Sequence, residues 1–166
     1  MSSSSPSARE RRLAAGLAED PVAVLISRRF DIPWEAGLFQ APEQPVVVYT
    51  GVAGDVPAVP APVELVVLPD PTPAAALADL RVRGVAAALC EGGPTLHRAL
   101  HAAGLVDELF LTLWPALTGD DMEPGILAGG RLPEYVGLRL LSVRQHGSEL
   151  FLRYAVAGGS APPLFT

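Results

Sequence analysis

The sequence predicts an α/β fold with a mostly parallel sheet, crossover helices and a C-terminal antiparallel hairpin. Three observations carry this. Short apolar runs rich in β-branched residues recur at 21–27, 45–50 and 63–68, the composition of strands buried on both faces. Helical patterns then alternate with further strand patterns, an order that calls for parallel pairing through crossover helices. Near the end of the chain, runs at 138–143 and 150–156 flank Gln145-His146-Gly147-Ser148, a hairpin signal in which Gly147 takes a positive φ without penalty.

Taken in order, residues 1–20 open with four serines and Pro6 and read as a flexible tail carrying at most a turn or two of helix. The α/β domain is expected over 21–157, and 158–166 as a C-terminal tail. The first strand ends at Ser27-Arg28-Arg29, the second at Thr50-Gly51 and the third at Pro69-Asp70-Pro71, with a Pro- and Gly-rich surface loop over 52–62. Thr72 caps a helix that has Pro73 at its first position; Ala76, Leu77, Leu80 and Val82 give it an apolar side, and Gly84 stops it. The run 85–90 reads as a buried strand ending in Cys90, an inert interior thiol. Pro94 then starts a second helix with Leu96, Ala99, Leu100 and Ala103 on one face and Gly104 as its stop. A strand over 106–113 leads through Trp114-Pro115 into a Gly-containing loop, with Phe110 and Trp114 expected in a core or subunit interface.

Composition narrows the function. The chain has 166 residues, 49% of them hydrophobic and 18% charged, as a folded domain has and a disordered one does not. A net charge of −6 with no lysine excludes a nucleic-acid surface, which needs clustered cations. A single cysteine excludes an internal disulfide and a Cys-rich zinc site, and fits the cytoplasm. No apolar run approaches the roughly 20 residues a membrane span requires. His97 and His101 stand four apart on one helix, yet no third ligand is evident and no metal is expected. Asp120, Asp121 and Glu123 lack the spacing of a calcium loop.

The informative stretch is Cys90-Glu91-Gly92-Gly93-Pro94-Thr95-Leu96. A chain that passes through two glycines into a helix aims free backbone N–H groups, and the positive end of the helix dipole, at one point that suits a phosphate. In open α/β sheets ligands bind beyond the C-terminal strand ends. Ser27-Arg28, Thr50-Gly51 and Glu91-Gly92-Gly93 all fall at such ends, so one crevice is expected to collect them.

Glu91-Gly92-Gly93-Pro94-Thr95-Leu96, followed by Ala103-Gly104-Leu105-Val106-Asp107-Glu108-Leu109, Leu111-Thr112 and Pro115, resembles the signature of the reductase domain of bacterial riboflavin-biosynthesis deaminase-reductases. Residues 24–28, Asp31-Ile32-Pro33, Leu38-Phe39 and 48–50 are similar to that family in the same order. The resemblance implies a dihydrofolate-reductase-like fold and an NADPH-dependent reduction of a ribosylamino-pyrimidine phosphate; a homodimer is expected because a strand missing relative to that family leaves a sheet edge to be covered. It implies cofactor-binding roles for Ser27, Arg28, Thr50, Gly92, Gly93 and Thr95, and a catalytic position for Glu91, facing the pyrimidine or nicotinamide. The family's opening Ser-x-Asp-Gly motif and its Gly-x-Gly-Thr turn have no counterpart, so the chain corresponds to that domain without its first third. A second expectation follows, a shortened non-catalytic module that binds a dinucleotide or a partner.

Overall fold

Five consecutive buried residues, Val46-Val47-Val48-Tyr49-Thr50, form β2, the centre of a parallel sheet in the order β1-β2-β3, where β1 is Ala23–Ser27 and β3 is Val63–Val67. A computed structural model describes residues 7–117 and 125–157. Two compact units divide the chain between Gly84 and Val85.

In the first unit the sheet register sets Leu25 beside Val48 and Val48 beside Leu65. Side chains alternate across a strand. Val46 and Val48 therefore point with Leu25, Val63 and Leu65 to one face, where Ile32, Phe39 and Ala61 complete a core. Phe39 is fully buried and sits with its ring 4.8 Å from that of Trp34. Val47 and Tyr49 point to the other face, which carries α2, Pro73–Val82. Both faces of β2 are covered, which is why its sequence runs apolar without alternation.

The start of α2 forms as its sequence predicts: Thr72 Oγ1 accepts the Ala75 N–H at 3.2 Å and Pro73 takes the first position. Its buried side is narrower than expected. Ala76 and Leu80 are buried one turn apart, but Val82 is 87% exposed, because two residues beyond Leu80 carry it about 200° around the helix. Polar ties reinforce the packing. Tyr49 donates its hydroxyl proton to Asp79 Oδ2 at 2.7 Å, and Arg83 joins Asp79 to Glu64, with Nη1 2.8 Å from Glu64 Oε2. Burial first, and then the Asp79 carboxylate, push the Tyr49 hydroxyl up to about 12. Below the ordinary tyrosine value of about 10 the hydroxyl keeps its proton in folded and unfolded chains alike, and its stabilisation is fully present. Above that value the unfolded chain ionises first. Tyr49→Phe is therefore expected to cost about 1 kcal/mol near neutral pH, and in urea titrations its deficit against wild type should narrow as pH rises from 10 to about 12; a deficit independent of pH contradicts this.

Ahead of β1, α1 spans Ala8–Ala14 and is closed by a capping box between Ser7 and Glu10. The loop over 52–62 is irregular, as its composition predicts.

The second unit holds α3, Pro94–Ala102, and an antiparallel sheet in the order β4-β6-β5, with β4 Glu108–Leu113, β5 Gly137–His146 and β6 Glu149–Ala157. The expected hairpin forms, with Gly147 at φ 56° and a register shift between Leu140 and Ser142. Pairing sets Leu111 opposite Leu152 and Leu152 opposite Val143, so one face is apolar. It is incompletely covered: Leu113, Leu140 and Val143 are each about half exposed.

Two expectations are corrected here. The run 85–90 is not a buried strand, because it pairs with no neighbour, and most of it is exposed, Leu89 at 75%. An apolar hexapeptide becomes a strand only where a partner satisfies its backbone. Cys90 at the end of that run is consequently exposed. Phe110 and Trp114 are exposed in the single chain and so lie outside its core, Phe110 because it shares the polar face of β4 with Glu108; of the core or interface expected for them, the interface is what this leaves. Asp120, Asp121 and Glu123 lie outside the described residues, as do 1–6 and 158–166. Among the described residues, no helix is long and apolar enough to cross a membrane.

Candidate functional site

At the C-terminal edge of the parallel sheet, Ser27 and Thr50 are register partners. Ser27 Oγ donates to the Asp31 carbonyl at 3.2 Å and so shapes the turn that follows β1. Within that turn Phe30 has φ 60°, the one positive value outside glycine among the described residues. A bulky residue there is strained. Its ring compensates by packing 5.6 Å from Trp34 and directly over Gly54, where any added Cβ would collide with it at 2.4 Å. Gly51 also permits a close approach, since a Cβ there would stand 2.9 Å from the Arg28 carbonyl and 3.3 Å from Pro71. The turn after β1 thus approaches Gly51 at backbone distance while the Pro71 ring packs against it, a closeness that only glycine at 51 permits.

The side chains at this edge differ in what they offer a ligand. Thr50 is wholly buried, and its Oγ1 is bonded to the Val52 backbone at 3.2 and 3.3 Å, so it contributes the shape of the turn. Arg28 is the accessible group. Its side chain is 70% exposed, and its acidic neighbour, Asp70, lies 4.0 Å away and is as exposed as it is, a contact of little energy.

In the second unit, Glu91, Gly92, Gly93 and Thr95 gather at the N-terminus of α3, with Glu91 and both glycines exposed. Gly93 is the N-cap, extended at φ −67°, with no side chain bonded to the helix's first N–H groups, and Pro94 follows at the first position. Space around Gly93 is open, with nothing within 4 Å of where a Cβ would stand. Its glycine is therefore not demanded by conformation; it leaves the backbone accessible to a ligand. No strand delivers Glu91, which emerges from the unpaired segment 85–93.

Residues that sequence reasoning passes over frame this turn. The loop that carries Gly129 (φ 91°) and Gly130 (φ 109°) runs beside it; the Ala128 N–H donates to the Pro94 carbonyl at 3.1 Å, and Arg98 Nε donates to the Gly130 carbonyl at 3.0 Å. The Gly129-Gly130 doublet was the available signal; nothing in sequence marks Arg98 as its partner. The same loop roofs a cavity of about 540 Å³ lined by Leu109, Leu127, Leu132 and Leu138, with His101 at its wall. Burial, and then the neighbouring His97, hold the His101 imidazole below its ordinary value. Their rings are 5.1 Å apart, but no cluster of three metal-ligating side chains exists among the described residues.

Taken each by itself, the helix N-terminus with open glycine backbone in the second unit and the exposed Arg28 guanidinium beyond the strand ends in the first are groups of a kind that suits anionic phosphates.

The family model for the RibD C-terminal domain matches residues 1–152. No curated protein matches the sequence. Among solved structures, the fold resembles a pyrimidine reductase-like protein from Corynebacterium diphtheriae, with a TM-score of 0.73 and 22% identity over 91% of this chain and 67% of that one. It also resembles Acinetobacter baumannii RibD (TM-score 0.67, 22% identity, 82% of this chain and 38% of that one). A third is the Thermotoga maritima diaminohydroxyphosphoribosylaminopyrimidine deaminase/5-amino-6-(5-phosphoribosylamino)uracil reductase, with a TM-score of 0.67 and 18% identity over 83% of this chain and 38% of that chain. The chain thus spans 38% of the length of the two longer proteins. These likenesses establish a dihydrofolate-reductase-like α/β fold.

Proposed function

Because this chain belongs to the RibD C-terminal domain family, we propose that it is an NADPH-dependent reductase of the riboflavin-biosynthesis type, acting on a ribosylamino-pyrimidine phosphate. The observation that carries this reading is the α3 N-terminal turn, where Gly93 caps the helix with open backbone in place of a side chain. Backbone N–H groups of Gly92 and Gly93 hold the cofactor pyrophosphate, and the Thr95 hydroxyl adds a donor. Arg28 grips the adenosine 2′-phosphate with its planar fork. Ser27 and Thr50 keep the adjoining turns in shape through their bonds to Asp31 and Val52. Glu91, exposed beside the glycines, accepts an N–H from the pyrimidine and orients it. When bound, NADPH supplies a hydride, which C1′ of the ribosylamine accepts while its bond to O4′ breaks and O4′ takes a proton from solvent.

The half-exposed leucines and valine on the apolar face of the antiparallel sheet support a homodimer, since contiguous apolar surface on a sheet is ordinarily covered; sedimentation at a monomer's mass would contradict it. One exposed free cysteine suits a cytoplasmic protein. The same apolar face favours a second reading, a non-catalytic module that binds a dinucleotide or a partner. Turnover separates the two. Incubation with NADPH and the phosphorylated ribosylamino-pyrimidine is expected to consume the two in equal amounts and yield the ribityl product. Binding of NADPH without consumption would leave the second reading in place of the first.

A further inference from the structure

The loop over 125–131 meets α3 through three contacts. The Ala128 N–H donates to the Pro94 carbonyl at 3.1 Å, Arg98 Nε donates to the Gly130 carbonyl at 3.0 Å, and Arg98 Nη2 lies 3.4 Å from the Arg131 carbonyl. Gly129 closes the contact: a Cβ there would reach Arg98 Cδ and Thr95 Cγ2 at 3.9 Å. Both glycines have positive φ, 91° and 109°, so the backbone path that brings these carbonyls to Arg98 is one that other residues resist.

Arg98 is the fifth of the nine residues of α3, at the middle of the helix, and its side chain reaches across to the neighbouring loop. Among the described residues it meets no carboxylate within salt-bridge distance; its partners are neutral carbonyls.

We propose that Arg98 is a positioning residue for the cofactor pyrophosphate: by bracing the Gly129-Gly130 loop against Pro94 and Thr95, it fixes the direction in which the Gly92-Gly93 turn presents its N–H groups. This rests on the NADPH reading above. A turn held from one side only samples many directions, and a small error in donor direction weakens binding to a phosphate. Arg98 touches no reacting atom, so its loss acts on cofactor affinity and not on the hydride step.

The test compares wild type with Arg98→Ala by fluorescence titration using NADPH and, separately, adenosine 2′-monophosphate, a fragment without the pyrophosphate. The expected result for Arg98→Ala is about tenfold weaker NADPH binding, the equivalent of one well-placed charged hydrogen bond, with unchanged affinity for the fragment. Arg98→Lys, which retains one donor, should recover part of the loss. If Arg98→Ala does not fold, Gly129→Ala tests the same contact by forcing a side chain onto φ 91°. Equal NADPH affinity in variant and wild type, or parallel loss of NADPH and fragment, overturns the proposal. Failure of wild type to bind NADPH at all is a different result, and it removes the cofactor reading itself.

Discussion

Truncating Phe39 to alanine is expected to destabilise the first unit by about 3–5 kcal/mol. Phe39 is fully buried on the core face of the parallel sheet, among Ile32, Val46, Val48 and Ala61. Its ring also packs on Trp34, which in turn packs on Phe30. The Phe39 backbone cannot easily follow a collapsing cavity, because its carbonyl accepts the Ala61 N–H at 3.1 Å and its own N–H donates to the Ala36 carbonyl at 2.9 Å. The lost ring therefore leaves a void, and the turn holding Phe30 at φ 60° loses its support. A loss of this size is comparable to the whole stability of a small domain. Urea denaturation followed by Trp34 fluorescence reads it directly; a loss below about 1 kcal/mol would show that the core repacks, contrary to this account.

Arg28→Ala is expected to do the opposite: little to the fold and much to the cofactor. Its side chain is 70% exposed and its contact with Asp70 is 4.0 Å, a pair worth no more than about 1 kcal/mol and usually less. If its guanidinium meets the 2′-phosphate of NADPH, removing it deletes a bidentate charge-assisted contact of about 1.5–3 kcal/mol. NADPH affinity should fall roughly 10- to 100-fold, while affinity for NADH, which has no 2′-phosphate, stays as in wild type. Paired titrations of both cofactors check this. Equal losses for the two would move Arg28 away from the phosphate.

The parallel sheet was legible because its strands carry their own evidence: β-branched runs ending in Arg28, Gly51 and Pro69 became β1, β2 and β3. The caps of α2 and α3 were legible for the same local reason, Thr72-Pro73 and Gly93-Pro94. What misled was length and apolarity without a partner. Residues 85–90 have the composition of a strand, but a strand exists only as a pair, and pairing is not written in a hexapeptide. Cys90 followed that run into error. At the site, Gly92-Gly93 stood out only through the flanking family pattern, since a glycine pair by itself serves any strained backbone; the structure places Gly93 at the N-cap of α3 with open space around it. Thr50 did not reveal that its hydroxyl is turned into its own turn toward Val52. Arg98 was invisible for another reason: its partners, the Gly130 and Arg131 carbonyls, lie more than thirty residues away and are backbone atoms, which no side-chain pattern encodes.

Binding of NADPH to the wild-type chain decides whether the α3 N-terminal turn takes a pyrophosphate. Calorimetric titration should show saturable binding, weakened when inorganic pyrophosphate is added as competitor, if the α3 N-terminal turn, with open backbone at Gly93, holds the pyrophosphate as proposed. No heat of binding, or binding that pyrophosphate leaves untouched, would contradict the assignment of that turn.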